Sequence, residues 1–481
     1  MSHLSLSEHI ARLTGNQQYH GTLEGGLEKD DRQIKSRVER MRGFCKREKG
    51  FEKEFGRTNI RLSRSYEGSH WRTRLLLQKI LRGEPITISA IGGSVTKGHH
   101  VQESETWFHQ FREWMNDYVG DVEIIEINGA IPASGSDYFS FCFPFHIPHT
   151  SDLIFVELGI NDEGIPEHVE NMENLLRGLL DLPRQPAVIL VEALAFSNGG
   201  MGGGGGRMHL PVAQYYDVPV INQRLPIANH FARHPQLVRH YFSQDYWGNP
   251  DTRHINARGH RDLGMLVASF VKDVTCEMLS EPTFSLMPGM WMAPIDYGLL
   301  PRMRVLEGWN PDTAHVVPSF HPTCFTTRTN EPSFNLTPSY NEGWEYWAHP
   351  ERLDKPYLVA REPGAKVGFQ METNAGAIKM YALKSKTFGL GTVECWVDEE
   401  KEKSVKVAGW WDNGDANIGR FASLRHDLLP GIHTVHCELL QETLDPGGGH
   451  EFRIISMMRY VSRTYLCKLA NGCFAPAFER I

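Results

Sequence analysis

Long apolar segments are missing from this chain of 481 residues. No stretch approaches the roughly 18 uncharged apolar residues that indicate a membrane-spanning helix. The best apolar run, 186–196, is short and contains Glu192. The first residues have neither the basic region nor the apolar region of a secretory signal peptide. The sequence by itself therefore predicts no stable membrane insertion and no export signal.

An excess of positive charge and closely spaced cysteine pairs are also absent. Lys and Arg number 50 against 58 Asp and Glu, a net charge of −8, which argues against nucleic acid as the main partner. None of the eight cysteines forms a CxxC motif, so a zinc site is not expected. Disulfide pairing and oligomeric state stay open. With 41% hydrophobic and 22% charged residues, the composition is that of a globular protein.

The sequence pattern changes twice along the chain. Residues 1–82 carry 18 Lys and Arg against 10 Asp and Glu, which is typical of a solvated arm. Short β-branched runs then alternate with helical spacing, a pattern that predicts parallel βαβ units, and after about residue 321 only strand patterns occur. We therefore predict four regions: a charged arm (1–82), a three-layer α/β/α domain with a doubly wound parallel sheet (83–280), a connecting segment (281–320) and a C-terminal all-β sandwich (321–465).

The same periodicities give the expected elements. In the α/β domain we expect strands at 86–91, 122–127, 152–158, 187–191 and 218–221, and helices at 106–118, 166–182 and 257–279. In the sandwich we expect strands at 366–372, 376–383, 391–398, 404–409, 418–424, 432–439 and 451–458.

Three polar motifs follow predicted strands or precede the last helix of the α/β domain. Ser94 comes directly after the first strand and two glycines, which permit a tight turn. Asn161 follows the third strand, and its amide N–H can donate to a developing oxyanion. Asp251 lies three residues before His254, so the carboxylate can bond one ring nitrogen and leave the other to a serine. Together they are the parts that acyl transfer needs, at the sheet edge where ligands bind.

These motifs resemble the sequence blocks of the SGNH, or GDSL, hydrolases, over about residues 85–275. The chain departs from the family pattern at Gly93, where Asp is common, and at Ala133, which aligns best with a glycine. The matching segments are Gly93-Ser94 for block one, 128–135 for block two, Gly159-Ile-Asn161-Asp162 for block three and Asp251-Thr-Arg-His254 for block five.

The resemblance implies an SGNH, flavodoxin-like fold and a serine esterase mechanism. Ser94 is then the nucleophile, His254 the general base, and Asp251 the residue that orients His254. No metal and no organic cofactor is required. The implied oxyanion donors are the backbone N–H of Ser94, a block-two backbone N–H from Ala133 or Gly135, and the side chain of Asn161.

Over its whole length the chain is also similar to fungal proteins described as capsule-associated SGNH hydrolases. This similarity implies a carbohydrate ester as the substrate, with an O-acetyl group as the expected acyl group, and a place in the secretory pathway or at the cell surface. Two alternatives stay open. One is a polysaccharide O-acetyltransferase that uses the same triad, and the other is a catalytically inert sugar-binding or scaffolding protein.

Other motifs receive simpler interpretations. Ser94-Val-Thr-Lys97 spells the SxxK motif of penicillin-binding proteins, but the partner motifs of that family are missing. The glycine-rich stretch 199–206 lacks the lysine of a phosphate loop and is expected to be a mobile loop near the site. His99-His100 and His146-Ile-Pro-His149 are expected to be loop histidines and not metal ligands. The seven tryptophans after residue 280 either fill the sandwich core or stack on sugar rings.

Overall fold

The structure, a computed structural model, describes residues 24–46, 49–197, 204–280, 298–301, 303–307, 322–373, 376–412, 417–429 and 431–461. Most of the predicted connecting segment, most of the glycine-rich stretch 199–206, Trp291 and Trp309 lie outside these residues. The described chain forms an α/β unit followed by a unit of antiparallel sheets.

Apolar, β-branched runs form the central sheet of the α/β unit. Its strands are β1 (Arg64–Tyr66), β2 (Ile86–Gly92), β3 (Ile124–Asn128), β4 (Leu153–Glu157), β5 (Ala187–Glu192) and β6 (Val220–Asn222). They are arranged in the order β1-β6-β5-β4-β2-β3, with β1 antiparallel to β6 and the other neighbours parallel. In β2, Ile88 and Ala90 pack into one core and Ile91 into another. The inner strands β2, β4 and β5 are buried throughout and mainly apolar because both of their faces are covered.

Helices cover both faces of this sheet. They are α1 (Glu24–Lys46), α2 (Lys49–Phe55), α3 (Arg57–Leu62), α4 (Trp71–Leu81), α5 (Ser94–Lys97), α6 (Trp107–Val119), α7 (Ser136–Cys142), α8 (Glu167–Leu180), α9 (Gly206–Tyr215), α10 (Arg224–Arg233) and α11 (Ala257–Ser280). Helices α4, α6 and α11 pack on one face, and α7, α8 and α9 on the other. The predicted α/β/α fold is confirmed. Among the described helices, none has both the length and the apolar character needed to span a bilayer.

The strand order creates a crevice at one point of the sheet. Strand β2 lies between β3 and β4, so the chain leaves β2 toward one side and later returns to its other side. The connections after β2 and β4 consequently diverge, and ligands of such sheets bind in the opening between them. Ser94 follows β2 and Asn161 follows β4, which places both beside this opening.

Part of the predicted N-terminal arm belongs to the α/β unit. Strand β1 extends the sheet, and α4 buries Leu76, Leu77 and Ile80 in its core. A disulfide between Cys45 and Cys276 joins α1 to α11. The basic residues interspersed along α4 concealed its apolar face in the sequence. The α/β unit therefore begins N-terminal to residue 83, where the sequence pattern predicts its start.

The C-terminal unit is a sandwich of two antiparallel sheets with an apolar core between them, as predicted. One sheet has the order β10-β13-β18-β15-β16, and the other has the order β11-β12-β19-β14-β17 with β9 also paired to β19. Ahead of it, β7 (Phe242–Gln244) and β8 (Pro250–Ile255) form a separate hairpin. The sandwich strands are β9 (Thr323–Thr326), β10 (Tyr340–Glu342), β11 (Trp344–His349), β12 (Arg352–Ala360), β13 (Lys366–Thr373), β14 (Gly376–Lys384), β15 (Thr392–Val397), β16 (Val405–Ala408), β17 (Ile418–Leu428), β18 (Gly431–Leu439) and β19 (Phe452–Val461).

The two units share a core. In β14, Met380 faces the interior of the sandwich, whereas Tyr381 and Leu383 pack with α7 and α8 of the α/β unit. A disulfide between Cys142 and Cys324 links α7 to β9 across the same boundary. Both faces of β14 are therefore buried, and the sandwich packs against the α/β unit at the side that carries the loops after β3 and β4.

Candidate active site

Ser94 lies at the turn from β2 into α5, where two glycines allow close approach of neighbouring side chains. A Cβ atom on Gly92 would lie 2.3 Å from Thr96 Oγ1. A Cβ atom on Gly93 would lie 2.1 Å from Asn161 Oδ1. Both distances are too short for a carbon–oxygen contact, so each position excludes a side chain. The close approach at Gly93 brings Asn161 next to the half-buried Ser94.

His254 and Asp251 lie on β8 and complete a hydrogen-bonded chain with Ser94. The distance from Ser94 Oγ to His254 Nε2 is 2.8 Å, and His254 Nδ1 lies 2.5 Å from Asp251 Oδ2. The other carboxylate oxygen of Asp251 accepts a hydrogen bond from the N–H of Arg253 at 3.0 Å. The imidazole thus presents one nitrogen to the hydroxyl and the other to the carboxylate, which is the geometry of a serine nucleophile with an oriented base.

Burial and charge act on this pair in opposite directions. Burial acts to lower the pKa of His254, and the hydrogen bond with Asp251 acts to raise it. The effect of burial is larger, so the pKa of His254 lies below its ordinary value. Burial acts to raise the pKa of Asp251, but the hydrogen bond and charge of His254 bring it down to about 2. At neutral pH the imidazole is therefore uncharged and able to accept the proton of Ser94. The ionised carboxylate stabilises the imidazolium that forms.

Asn161 and the loop 128–135 both lie next to the turn that carries Ser94, since Asn161 packs on Gly93 and the N–H of Ile131 donates to the carbonyl of Gly92. Asn161 is 5% exposed, and its side-chain amide makes no hydrogen bond with any residue that the structure describes. Ala133 has a φ angle of +59°, in the left-handed region that favours glycine. Gly135 packs on Asp162, and its carbonyl accepts hydrogen bonds from the N–H groups of Tyr138 and Phe139. The N–H groups of Ala133 and Gly135 are both candidate donors to an oxyanion.

Residues of the sandwich hold the backbone of these same loops. Arg420 donates to the backbone carbonyl of Asn161 at 3.1 Å, and the N–H of Gly419 donates to the carbonyl of Ala133 at 3.3 Å. Arg328 donates to Ser134 Oγ at 2.7 Å. Sequence reasoning missed these contacts, because partners that lie 259 positions apart leave no local pattern. The site is thus built by both units.

A buried ionic cluster lies beneath the loops. Asp162 accepts hydrogen bonds at 2.8 Å from both His209 and the N–H of Ser136. Burial acts to raise the pKa of Asp162, but His168 and His209 hold it well below its ordinary value. Burial likewise acts to lower the pKa of His209, yet its hydrogen bond with Asp162 and the nearby carboxylate of Glu192 raise it to about 9. The ion pair joins the loop after β4 to α9, and the bond from Ser136 joins the same loop to the start of α7, so Asp162 has a structural role.

The structure also locates the remaining candidates. Lys97 is exposed, and the partner of Ser94 is a histidine, which argues against an SxxK mechanism. His146 bonds the hydroxyl of Tyr138 at 2.9 Å. His99 and His100, by contrast, lie close to Asp251. Of the described C-terminal tryptophans, Trp344 is buried and the others are half-buried.

Comparisons with known proteins identify the fold. No protein-family model and no curated protein matches the sequence. A two-domain esterase (CEX) active on acetylated mannans superposes with a TM-score of 0.62 at 18% sequence identity, over 84% of this chain and 99% of that chain. A second structure of such an esterase, co-crystallised with mannopentaose, gives the same TM-score and identity over 84% and 98%. The chain therefore shares the two-domain fold of these esterases.

The pH dependence of ester hydrolysis tests the role of His254. Because burial lowers its pKa, kcat/KM for p-nitrophenyl acetate is expected to rise with pH to a plateau, with a midpoint below 6.5. Asp251→Asn removes the group that raises this pKa, so the midpoint moves lower still and the rate falls on the order of 10⁴-fold.

The matched control for this prediction is Asp245→Asn. Asp245 lies on the same hairpin but accepts hydrogen bonds from backbone N–H groups at its tip. This variant is expected to keep the wild-type profile for the small ester. A midpoint above 7, or equal losses in the two variants, contradicts the assignment.

Substitution of Arg420 tests whether the sandwich positions the site. Arg420→Met removes the donor to the carbonyl of Asn161 and is expected to lower kcat by about 10- to 100-fold with little change in KM for a small ester. Arg425→Met is the control, since Arg425 lies on the same strand, is similarly buried and pairs with Glu400 and Asp427 away from the site. Equal kcat in both variants, measured alongside thermal stability, contradicts a positioning role.

Proposed function

We propose that this protein is a serine esterase of the SGNH type that hydrolyses a carbohydrate ester. The observation that carries the proposal is the hydrogen-bonded chain from Ser94 Oγ through both ring nitrogens of His254 to Asp251. These side chains meet beside the crevice of a doubly wound sheet, next to an Asn161 amide that has no hydrogen-bond partner among the described residues.

The reaction follows from this geometry. His254 Nε2 accepts the proton of Ser94 while Ser94 Oγ bonds to the ester carbonyl carbon, and the carbonyl π electrons move to its oxygen. Collapse of the tetrahedral intermediate breaks the bond to the sugar oxygen, which takes the proton from His254. Water then attacks the acylated Ser94 in the same way and releases the acid. The oxyanion is held in both steps by the N–H of Ser94, by the N–H of Ala133 or Gly135, and by the side-chain amide of Asn161.

A carbohydrate is supported as the alcohol part of the substrate by an aromatic pair near the triad. Tyr246 and Trp247 form the turn between β7 and β8, and they are 94% and 79% exposed. Asp245 accepts hydrogen bonds from the N–H groups of Trp247 and Asn249, at 2.9 and 2.8 Å, and so holds this turn. Exposed rings on an ordered turn are suited to stack on sugars. The structural neighbour active on acetylated mannans supports an O-acetyl group.

The disulfides support the proposed compartment. Cys45–Cys276, Cys142–Cys324 and Cys395–Cys437 are all formed in the structure. Structural disulfides persist in oxidising surroundings and are rare in a reducing cytosol. We therefore propose that the protein folds in the secretory pathway and acts there or at the cell surface.

Release of acetate from an acetylated mannan tests the proposed function. The wild-type protein is expected to release acetate, and Ser94→Ala is expected to reduce the rate by at least about 10³-fold because the nucleophile is lost. Ser89→Ala is the control, since Ser89 lies on β2, the strand that leads to Ser94, and its buried hydroxyl bonds Ser151 Oγ. Activity that persists in Ser94→Ala contradicts the proposal. Acetyl transfer to added glycan without release of free acetate favours the transferase, which uses the same residues.

The aromatic pair gives a prediction about substrate size. Tyr246→Ala combined with Trp247→Ala is expected to raise KM for the acetylated polysaccharide by about tenfold, equivalent to ~1.4 kcal/mol of binding. The kinetics for p-nitrophenyl acetate are expected to stay unchanged, because a small ester does not reach the turn. An equal effect on both substrates, or none on the polysaccharide, contradicts a sugar-stacking role.

A further inference from the structure

Two adjacent histidines and the triad carboxylate form a cluster that the proposed reaction does not use. His99, His100 and Asp251 each offer one ligand atom, and these atoms lie within 4.8 Å of one another. The ring centroids of His99 and His100 are 3.8 Å apart, and that of His99 is 4.4 Å from His254. Neither His99 nor His100 has a hydrogen-bond partner for its ring nitrogens among the described residues.

The backbone after α5 is shaped to bring the two imidazoles together. Gly98 has a φ of +90° and His100 has a φ of +66°, a region that residues other than Gly, Asn, Asp and His seldom adopt. Consecutive side chains usually diverge, but this turn directs both rings toward the hairpin that carries Asp251. Unusual backbone conformations of this kind are found at functional sites.

The donor set suits zinc. Two imidazole nitrogens and a carboxylate oxygen bind Zn²⁺ at about 2.0–2.2 Å, and in a tetrahedral site two such ligands lie about 3.3–3.6 Å apart. His100 Nε2 and Asp251 Oδ2 are separated by 4.0 Å, and all three ligand atoms lie within 4.8 Å of one another. Rotation of the two imidazole rings by a fraction of an ångström to about one ångström at the ligand nitrogens closes these distances around one ion. We propose that His99, His100 and Asp251 form a binding site for Zn²⁺ that inhibits the enzyme.

We expect inhibition because Zn²⁺ would coordinate Asp251, the carboxylate that orients His254. Asp251 Oδ2 lies 2.5 Å from His254 Nδ1, so an ion that coordinates this oxygen removes the acceptor that orients the imidazole toward Ser94. This consequence for activity rests on the proposed esterase function, whereas the binding of zinc does not.

Calorimetric titration of the full-length protein with ZnCl₂ tests the site directly. Wild type is expected to bind zinc, and His100→Asn is expected to bind it at least about tenfold more weakly, since even indirect partners of a metal contribute tenfold or more to affinity. Asparagine tolerates the left-handed backbone at this position, so the variant keeps the fold. Zinc is expected to inhibit hydrolysis of p-nitrophenyl acetate in wild type at concentrations that leave His100→Asn active.

The control is His230→Gln. His230 and His234 form another close pair, with ring centroids 4.7 Å apart, on the exposed side of α10. This variant is expected to retain inhibition by zinc, which EDTA reverses. Equal zinc affinity in wild type and His100→Asn overturns the proposal, as does inhibition that is lost in His230→Gln. If the protein hydrolyses no ester, the calorimetric comparison still decides whether the zinc site exists.

Discussion

The hydrogen bond between Ser94 and His254 depends on the position of β2 in the sheet. With β3 on one side of it and β4 on the other, the chain after β2 enters an open crevice, and two glycines let it turn there without a clash. The hairpin of β7 and β8 then brings His254 back to this point. Ser94 alone would be an ordinary helix-initiating serine; an oriented imidazole at 2.8 Å makes it a candidate nucleophile.

The second unit contributes to the site by fixing its backbone. Arg420 and Gly419 on β17 bond the carbonyls of Asn161 and Ala133, and the Asp162–His209 ion pair lies below the same loops. Preorganised donors act without reorganising during the reaction, so rigid support of these loops favours stabilisation of an oxyanion. The shared core around Tyr381 and the disulfide at Cys142 maintain this arrangement. Loss of the sandwich would therefore affect chemistry as well as substrate binding.

Local patterns predicted most of the fold. The strand expected at 86–91 is Ile86–Gly92, and the helix expected at 257–279 is Ala257–Ser280, because apolar periodicity reflects burial directly. Strands β9–β12 were missed, since their many polar and aromatic residues give no clear alternation. The triad residues could be named from their motifs, whereas the support from Arg420 could not, because it is set by packing between units. The histidines at 99 and 100, expected to be ordinary loop residues, lie beside Asp251 only through the turn at Gly98.

Covalent labelling distinguishes an activated Ser94 from an ordinary serine. The protein is treated with a fluorophosphonate, which modifies activated serines, and the modified peptide is identified by mass spectrometry. Ser94 is expected to be labelled in wild type and in Lys97→Ala, and labelling is expected to be lost in His254→Ala, because the base at 2.8 Å activates the hydroxyl. Labelling of a different serine, or labelling of Ser94 that is unaffected by His254→Ala, would contradict the assignment of Ser94 as the nucleophile.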